Sequence, residues 1–333
     1  MSFEEIEGQP GAIKILQKEM ATSSLPGAYL FVGPTGVGKM LTALAFAKAL
    51  NCKEGGLDSC DHCSSCRKID HMNHPDVRVI NPEESSIKIE QIRDLKREVG
   101  YRLFEGKKKV WIIEEADKLT VEAANSLLKI LEEPPPDVVF ILISETPEKL
   151  PPTILSRCEI INFFSLSSKA LHSIIAAYLP THSPKANLIK KLARGKAGEA
   201  LSLIKDENIL KNRDAVLDIL SKKISLEDIF QWVNKWKDCG ITELERTLDV
   251  IIFWFRDLLM LKQGISRRVV NYDRLEELKN QKETYSYSSI KQAIETVERT
   301  KGYLKCNVSR SLALEAMLLR LRGCQSNAQP QRG

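Results

Sequence analysis

No apolar run in this chain approaches the roughly 18 residues that a membrane-crossing helix requires. The longest runs, at 138–143 and 250–255, have the length of a strand or a core-helix segment, so no membrane partner is expected. The opening Met1-Ser2-Phe3-Glu4-Glu5 is acidic and lacks an apolar core segment, so no secretory signal is expected either. Neither sign of charge dominates: 49 basic against 44 acidic residues leave a formal +5, which permits a nucleic-acid partner without arguing for one. No internal repeat is found. Hydrophobic residues at 43% and charged residues at 28% exclude a disordered or collagenous chain. At 333 residues the chain is too long for one compact domain, and two or three are expected.

Disulfides are not expected, although the eight cysteines are an even number. Cys52, Cys60, Cys63 and Cys66 crowd into one short stretch of a long chain without an export signal, which favours metal. Their spacing, C-x7-C-x2-C-x2-C, lets successive thiolates curl around one ion, and four thiolates close a tetrahedral structural zinc shell. His62, His71 and His74 lie nearby and are read as solvated loop residues. Cys158, Cys239, Cys306 and Cys324 are scattered and expected to be reduced. The chain reads as cytoplasmic.

The first half alternates strand and helix signals. Tyr29-Leu30-Phe31-Val32, 76–80, Val110-Trp111-Ile112-Ile113, 138–143 and 159–164 read as strands, with helical periodicity at 39–50, 87–99 and 121–133. Near-continuous apolar strands separated by helices demand a parallel sheet covered on both faces, so this part is α/β. From about residue 167 the strands stop: short helices are expected at 168–179, 185–192 and 197–205. Longer amphipathic helices follow at 215–223, 226–236, 244–262, 288–301 and 312–322, as in a bundle. Trp232, Trp236 and Trp254 sit at helical spacing in apolar patterns and are read as packing residues. Residues 325–333 are polar and aperiodic, and a disordered tail is expected.

Gly33-Pro34-Thr35-Gly36-Val37-Gly38-Lys39 follows a strand and opens a helix, the context of a phosphate-binding P-loop. Its glycines turn backbone N–H groups toward phosphate oxygens, the helix N-terminus adds a favourable dipole, and Lys39 reaches the terminal phosphates. The next position should be Ser or Thr, whose hydroxyl binds Mg²⁺, but this chain has Met40, a soft and poor ligand for a hard cation. Thr42 lies about 200° around the helix and cannot easily substitute. After the third strand comes Glu114-Glu115 where Asp-Glu is usual: Glu114 is one methylene longer, and Glu115 stands where a water-activating base would be. Bound ATP or ADP is compatible with this loop, while Mg²⁺ coordination and turnover are expected to fail.

These motifs resemble the bacterial clamp-loader branch of the AAA+ ATPases. Ile6-Glu7-Gly8-Gln9, Ile89-Glu90-Gln91-Ile92-Arg93, Asn125-Ser126-Leu127-Leu128-Lys129, Leu131-Glu132-Glu133-Pro134-Pro135 and Leu155-Ser156-Arg157-Cys158 carry the likeness. Near the end, Asn307-Val308-Ser309 and Leu312-Ala313-Leu314-Glu315 extend it. The resemblance implies an AAA+ domain at 1–166 with a zinc module at 52–66, a helical lid at 167–207 and a helical collar for oligomerisation at 208–324. It also implies a hetero-oligomeric ring with gamma/tau motor and delta subunits, loading a sliding clamp onto primer-template DNA within DNA polymerase III holoenzyme. Sites where the family's motors read nucleotide have drifted: besides Met40 and Glu114, Gly198 falls where a sensor arginine would sit, and Ser144-Glu145-Thr146 replaces a sensor threonine region. The Ser-Arg-Cys segment is intact. The combination is similar to a non-motor ring subunit that offers Arg157 in trans to the γ-phosphate held by a neighbour. Two alternatives stand beside it, an active gamma/tau-type motor and a stand-alone nucleotide switch. Lys107-Lys108-Lys109 with Arg93, Lys96 and Arg97 could track a phosphate backbone, but a solvated face is the plainer reading.

Overall fold

The computed structural model describes residues 1–22, 25–180, 183–304 and 308–326. In it the five apolar runs become Ala28–Val32 (β1), Val77–Ile80 (β2), Lys109–Ile113 (β3), Val138–Ser144 (β4) and Glu159–Asn162 (β5). They form one sheet in the order β2-β3-β4-β1-β5, every pair parallel. Burial follows position: β4, in the middle, is buried along its whole length, whereas edge strand β5 buries only Ile161. This is the α/β architecture expected from the runs, and parallel strands of such composition need helices on both faces.

The helices of this part are Pro10–Ala21 (α1), Lys39–Asn51 (α2), Ser64–Asp70 (α3), Ile89–Val99 (α4), Val121–Glu132 (α5), Pro152–Leu155 (α6) and Ser168–Ala176 (α7). Alternation along β1 sends Leu30 to one face, where it joins Ile92, Leu95 and Leu127 of α4 and α5 in a single core. Tyr29 and Phe31 face the other way. Tyr29 meets Phe46 of α2 edge-on at 5.2 Å, and Phe31 packs on Phe163 at 5.0 Å. The Thr120 hydroxyl accepts the Ala123 N–H at 3.2 Å and starts α5, and Pro134-Pro135-Pro136 keeps it from continuing.

The chain divides into two compact units, Met1–Thr181 with Ala193–Leu201 and His182–Leu192 with Ser202–Gly333. The remaining helices are Pro184–Ala193 (α8), Ala197–Lys205 (α9), Glu207–Leu220 (α10), Leu226–Trp236 (α11), Ile241–Lys262 (α12), Leu275–Lys282 (α13), Tyr287–Leu304 (α14) and Arg310–Ser326 (α15). Within the second unit Trp232, Trp236, Trp254, Phe255, Leu258 and Leu314 share one core, which makes the three tryptophans packing residues. Asp257 is fully buried there, accepting the N–H groups of Val270 (2.9 Å) and Asn271 (2.8 Å) and the Asn271 side-chain amide (2.9 Å).

Helices α1, α3 and α13 have no counterpart in the periodicity. α13 buries only Leu278 and α1 only Ala12 and Leu16, too few positions to mark a face. The last helix runs to Ser326, and the Gln325 side chain bonds Ile224 N and Lys222 O, so the polar tail begins later than residue 325. Residues 327–333 lie outside the described residues, as do Cys306 and Asn307. Among the described residues no helix is long and apolar enough to cross a membrane.

Candidate functional site

β1 lies between β4 and β5, so its carboxyl end opens where strand order reverses, the place at which parallel α/β sheets bind ligands. Residues 33–39 turn there and enter α2. Gly33 N–H donates to Ser144 O at 3.2 Å, and a Cβ at Gly33 would stand 2.3 Å from Phe163 O, so only glycine fits between the flanking strands. Gly36 and Gly38 take positive φ, +78° and +105°, the left-handed turns that aim a nest of N–H groups at an anion. The backbone is that of a phosphate loop.

Several of its phosphate-facing groups are engaged within the chain. Lys39 is buried and its ammonium donates to Gly33 O (2.5 Å) and Pro34 O (2.8 Å). Burial pushes it below its ordinary pKa, against the pull of Glu145, Asp117 and Glu114. Thr35 donates its hydroxyl to Glu145 Oε2 at 2.8 Å and its N–H to Oε1 at 3.3 Å. Burial resists ionisation of Glu145, but those two donors hold its carboxyl below the usual range. Gly198 N–H donates to Gly36 O at 2.8 Å, and a Cβ at Gly198 would come within 3.1 Å of Gly36 Cα. A phosphate chain can enter only once the Thr35 N–H and the Lys39 ammonium give up these partners.

The groups that would serve magnesium are poorly disposed to hold it. The Thr42 hydroxyl turns back on Gly38 O at 3.0 Å and is not offered to a cation. Burial, reinforced by neighbouring Glu115, raises the Glu114 pKa, which opposes the charged form that a cation needs. Glu115 sits in left-handed backbone (φ +50°) and pairs with Lys118. Asp117, which periodicity did not single out, ties the site together. Its Oδ1 accepts from the Ser144 hydroxyl (2.8 Å) and Glu145 N–H (3.3 Å), and its Oδ2 from the Thr146 hydroxyl (3.1 Å).

Arg157 follows α6 and precedes β5. It donates through Nη1 to Thr153 O (2.8 Å) and Ser156 Oγ (3.3 Å), and through Nη2 to Glu132 Oε1 (2.7 Å). Its side chain is 32% exposed, so the guanidinium is held in shape while one side stays accessible. Glu132 stands 25 residues earlier at the last turn of α5.

The cysteine sulfurs of Cys52, Cys60, Cys63 and Cys66 all lie within 4.8 Å of one another. A tetrahedral zinc–thiolate shell at about 2.3 Å per bond needs sulfurs about 3.8 Å apart, so the four residues fit a closed metal site. Cys60 Sγ accepts the Cys63 N–H (3.3 Å) and Cys63 Sγ the Cys66 N–H (3.4 Å), as α3 begins. Burial works against the Cys63 thiolate, but the N–H groups of Cys66 and Lys53 bring its pKa down to about 6. His62 is spoken for by Glu54 and Cys60 O, each at 2.6 Å.

The bracing of this module corrects two expectations. His74, read as solvated, is buried, with Nε2 against Ser65 Oγ (3.1 Å) and Nδ1 accepting Asp76 N–H (3.2 Å). In the lysine run the solvated reading fails for Lys109, which is buried, while Lys107 stays exposed and Lys108 half-buried. Lys107 donates to Cys52 O (2.5 Å) and Lys108 to Pro136 O (2.7 Å), while buried Lys109 caps the carboxyl end of α4 through Glu98 O and Tyr101 O (2.8 Å each). Lys48, also buried, holds Asp61 (2.5 Å), between Cys60 and Cys63, and Asp70 (2.8 Å), at the end of α3.

Residues 8–167 match the family described as DNA polymerase III, delta subunit, and residues 207–323 the family described as DNA polymerase III, delta subunit, C terminal. The chain is 33% identical over 332 residues to DNA polymerase III subunit delta' of Bacillus subtilis (strain 168), covering 97% of this chain and 99% of that one. DNA polymerase III subunit tau of the same organism is 32% identical over 308 residues, 84% of this chain and 54% of the relative. Among solved structures, a DNA polymerase III gamma subunit-related protein of Thermotoga maritima superposes with a TM-score of 0.53 at 18% identity. That match covers 94% of this chain and 99% of the other, a likeness of fold.

Proposed function

The chain belongs to the DNA polymerase III delta-subunit family and is a clamp-loader subunit of that polymerase, and we propose that it works there as the delta-prime-type, largely non-catalytic member of the ring. The end-to-end match to a delta' subunit, covering nearly the whole of both chains, carries this reading. Residues 1–166 would be the AAA+ domain, 167–207 the lid and 208–324 the collar through which it joins gamma/tau motor and delta subunits. The loader so formed would place a sliding clamp on primer-template DNA in the bacterial cytoplasm.

Arg157 is the residue assigned to act in trans, its planar fork stabilising charge on the γ-phosphate in a neighbour's site. Zinc is the ion assigned to Cys52, Cys60, Cys63 and Cys66. Four thiolates would leave it no open position, so it would hold the 52–66 excursion in place and take no part in chemistry. Nucleotide, ATP or ADP, is assigned to residues 33–40 with Glu114 and Glu115 beside them. Turnover there is opposed by Met40 and by the raised pKa of Glu114.

Reconstitution tests the reading. Mixed with gamma/tau and delta subunits, the chain should enter one hetero-oligomer and be required for loading of a sliding clamp onto primed DNA, while alone it should show negligible Mg-dependent ATPase. Brisk turnover by the isolated chain would favour the gamma/tau-type motor, and failure to enter the complex would sink both.

A further inference from the structure

A P-loop attracts phosphate because its inward N–H groups, its lysine and a helix N-terminus together create a site for negative charge. In this chain a carboxylate already stands there. Glu145, at the carboxyl end of β4, takes both the N–H and the hydroxyl of Thr35 in a two-pronged contact of 3.3 and 2.8 Å. The side chain itself is exposed, but the turn that carries it is held from behind. Asp117 holds the Ser144 and Thr146 hydroxyls and the Glu145 N–H, so the turn cannot swing freely away from the loop. Lys39 and Lys196 lie near enough to favour its charged form. From this arrangement we propose that Glu145 is an internal surrogate for phosphate that shuts the nucleotide loop of the isolated chain, with Asp117 as the residue that positions it.

The physical consequence is competition. A nucleotide entering the loop must displace one acceptor that is already charged and hydrogen-bonded, and its own polyphosphate is repelled by that acceptor until it leaves. A hydrogen bond to a charged group is worth enough to weaken nucleotide binding by about tenfold to a hundredfold. Met40 and Glu114 act against turnover, and Glu145 adds a separate barrier at the binding step.

The inference rests on the phosphate-loop assignment made above, and the experiment separates the two. The full-length chain, zinc retained, is titrated with fluorescent methylanthraniloyl-ADP, with inorganic pyrophosphate as competitor. Glu145→Ala should bind about tenfold to a hundredfold more tightly than the unaltered chain. Glu145→Gln, which keeps shape and an acceptor oxygen but loses charge, should gain less. Adding Lys39→Ala to Glu145→Ala should erase the gain. If Glu145→Ala fails to fold, the near-isosteric Gln variant decides the matter. Binding by the unaltered chain as tight as by the variants, yet abolished by Lys39→Ala alone, would leave the loop assignment standing and overturn the surrogate. No binding by any variant, with Lys39→Ala without effect, would overturn both. Neither outcome bears on Arg157, whose role is read in the assembled loader.

Discussion

Replacing Arg157 by alanine separates a structural arginine from one that serves a neighbour, because the two roles predict effects of different size. The structural side can be worked from the contacts. Alanine removes one ion pair, to Glu132 at 2.7 Å, and two further hydrogen bonds, to Thr153 O at 2.8 Å and Ser156 Oγ at 3.3 Å. The ion pair is between side chains 32% and 49% exposed, a class worth about 0–1 kcal/mol. The other bonds add about 1 kcal/mol, so a total near 1–2 kcal/mol is expected, equivalent to a fall in Tm of about 2–8 °C. The fold survives that. If the guanidinium stabilises phosphoryl transfer next door, its loss should slow the site it serves by about 10³–10⁵. The assay is the DNA-stimulated ATPase of the reconstituted loader, normalised to complex measured by gel filtration, beside a thermal melt of the isolated chain. Arg157→Lys should recover little, because an ammonium keeps the charge but not the planar fork. Normalised ATPase left unchanged in Arg157→Ala, or a loss explained wholly by poorer assembly, would refute the role.

Three more outcomes can be measured. Protein purified without chelator should contain about one zinc per chain, and Cys66→Ser, at a buried ligand, should lower stability by about 4 kcal/mol; metal analysis showing no zinc would defeat the assignment. In the second unit, Asp257→Ala leaves three buried donors unpaired and should lower stability by about 3–5 kcal/mol in urea unfolding, a loss below about 1 kcal/mol counting against the network. Lys222, with the Ser225 hydroxyl and N–H, holds the Asp228 pKa down at about 2, against about 3.9 when unfolded. Its contribution is therefore complete above about pH 4 and lost as pH falls through 2. Asp228→Asn should flatten that acid limb by about 1–2 kcal/mol, and an unaltered acid profile would contradict the pairing.

The sheet was legible in the sequence because central parallel strands are apolar on both faces, so runs such as 138–143 announce themselves without help from their neighbours. The loop at 33–39 and the cysteine spacing were legible for a related reason: each is a local pattern whose geometry is set by a few consecutive residues. What supports them was not. His74, Asp76 and Asn51 come together around Gly106 from segments tens of residues apart, and nothing in the local composition marks a histidine for burial. Lys107, Lys108 and Lys109 read as a basic face because charge runs usually are solvated. Only Lys109 is buried, its head on backbone carbonyls at the end of α4, while exposed Lys107 reaches the Cys52 carbonyl beside the cysteine cluster.

The same division applies to the charges that matter for function. A motif tells which groups can meet a phosphate, since it fixes the backbone path and the side-chain chemistry. It does not tell which acceptor holds those groups within the chain, since that depends on strand register and on where a distant turn falls. Register places Val32, the last residue before the loop, beside Ser144, and so brings Glu145 to Thr35 across 110 residues of sequence. The end of α5 brings Glu132 to Arg157 in the same way. In both places an electrostatic feature that a ligand or neighbour would use has a carboxylate from elsewhere in the chain as its resting partner. Both pairs lie at the surface, and they differ in what carries the carboxylate. Glu132 projects from the last turn of α5, whereas Glu145 extends from a turn whose backbone N–H and flanking hydroxyls Asp117 holds. An arginine able to exchange partners, and a loop met by its own carboxylate, are what the proposed role of assisting a neighbour's turnover requires.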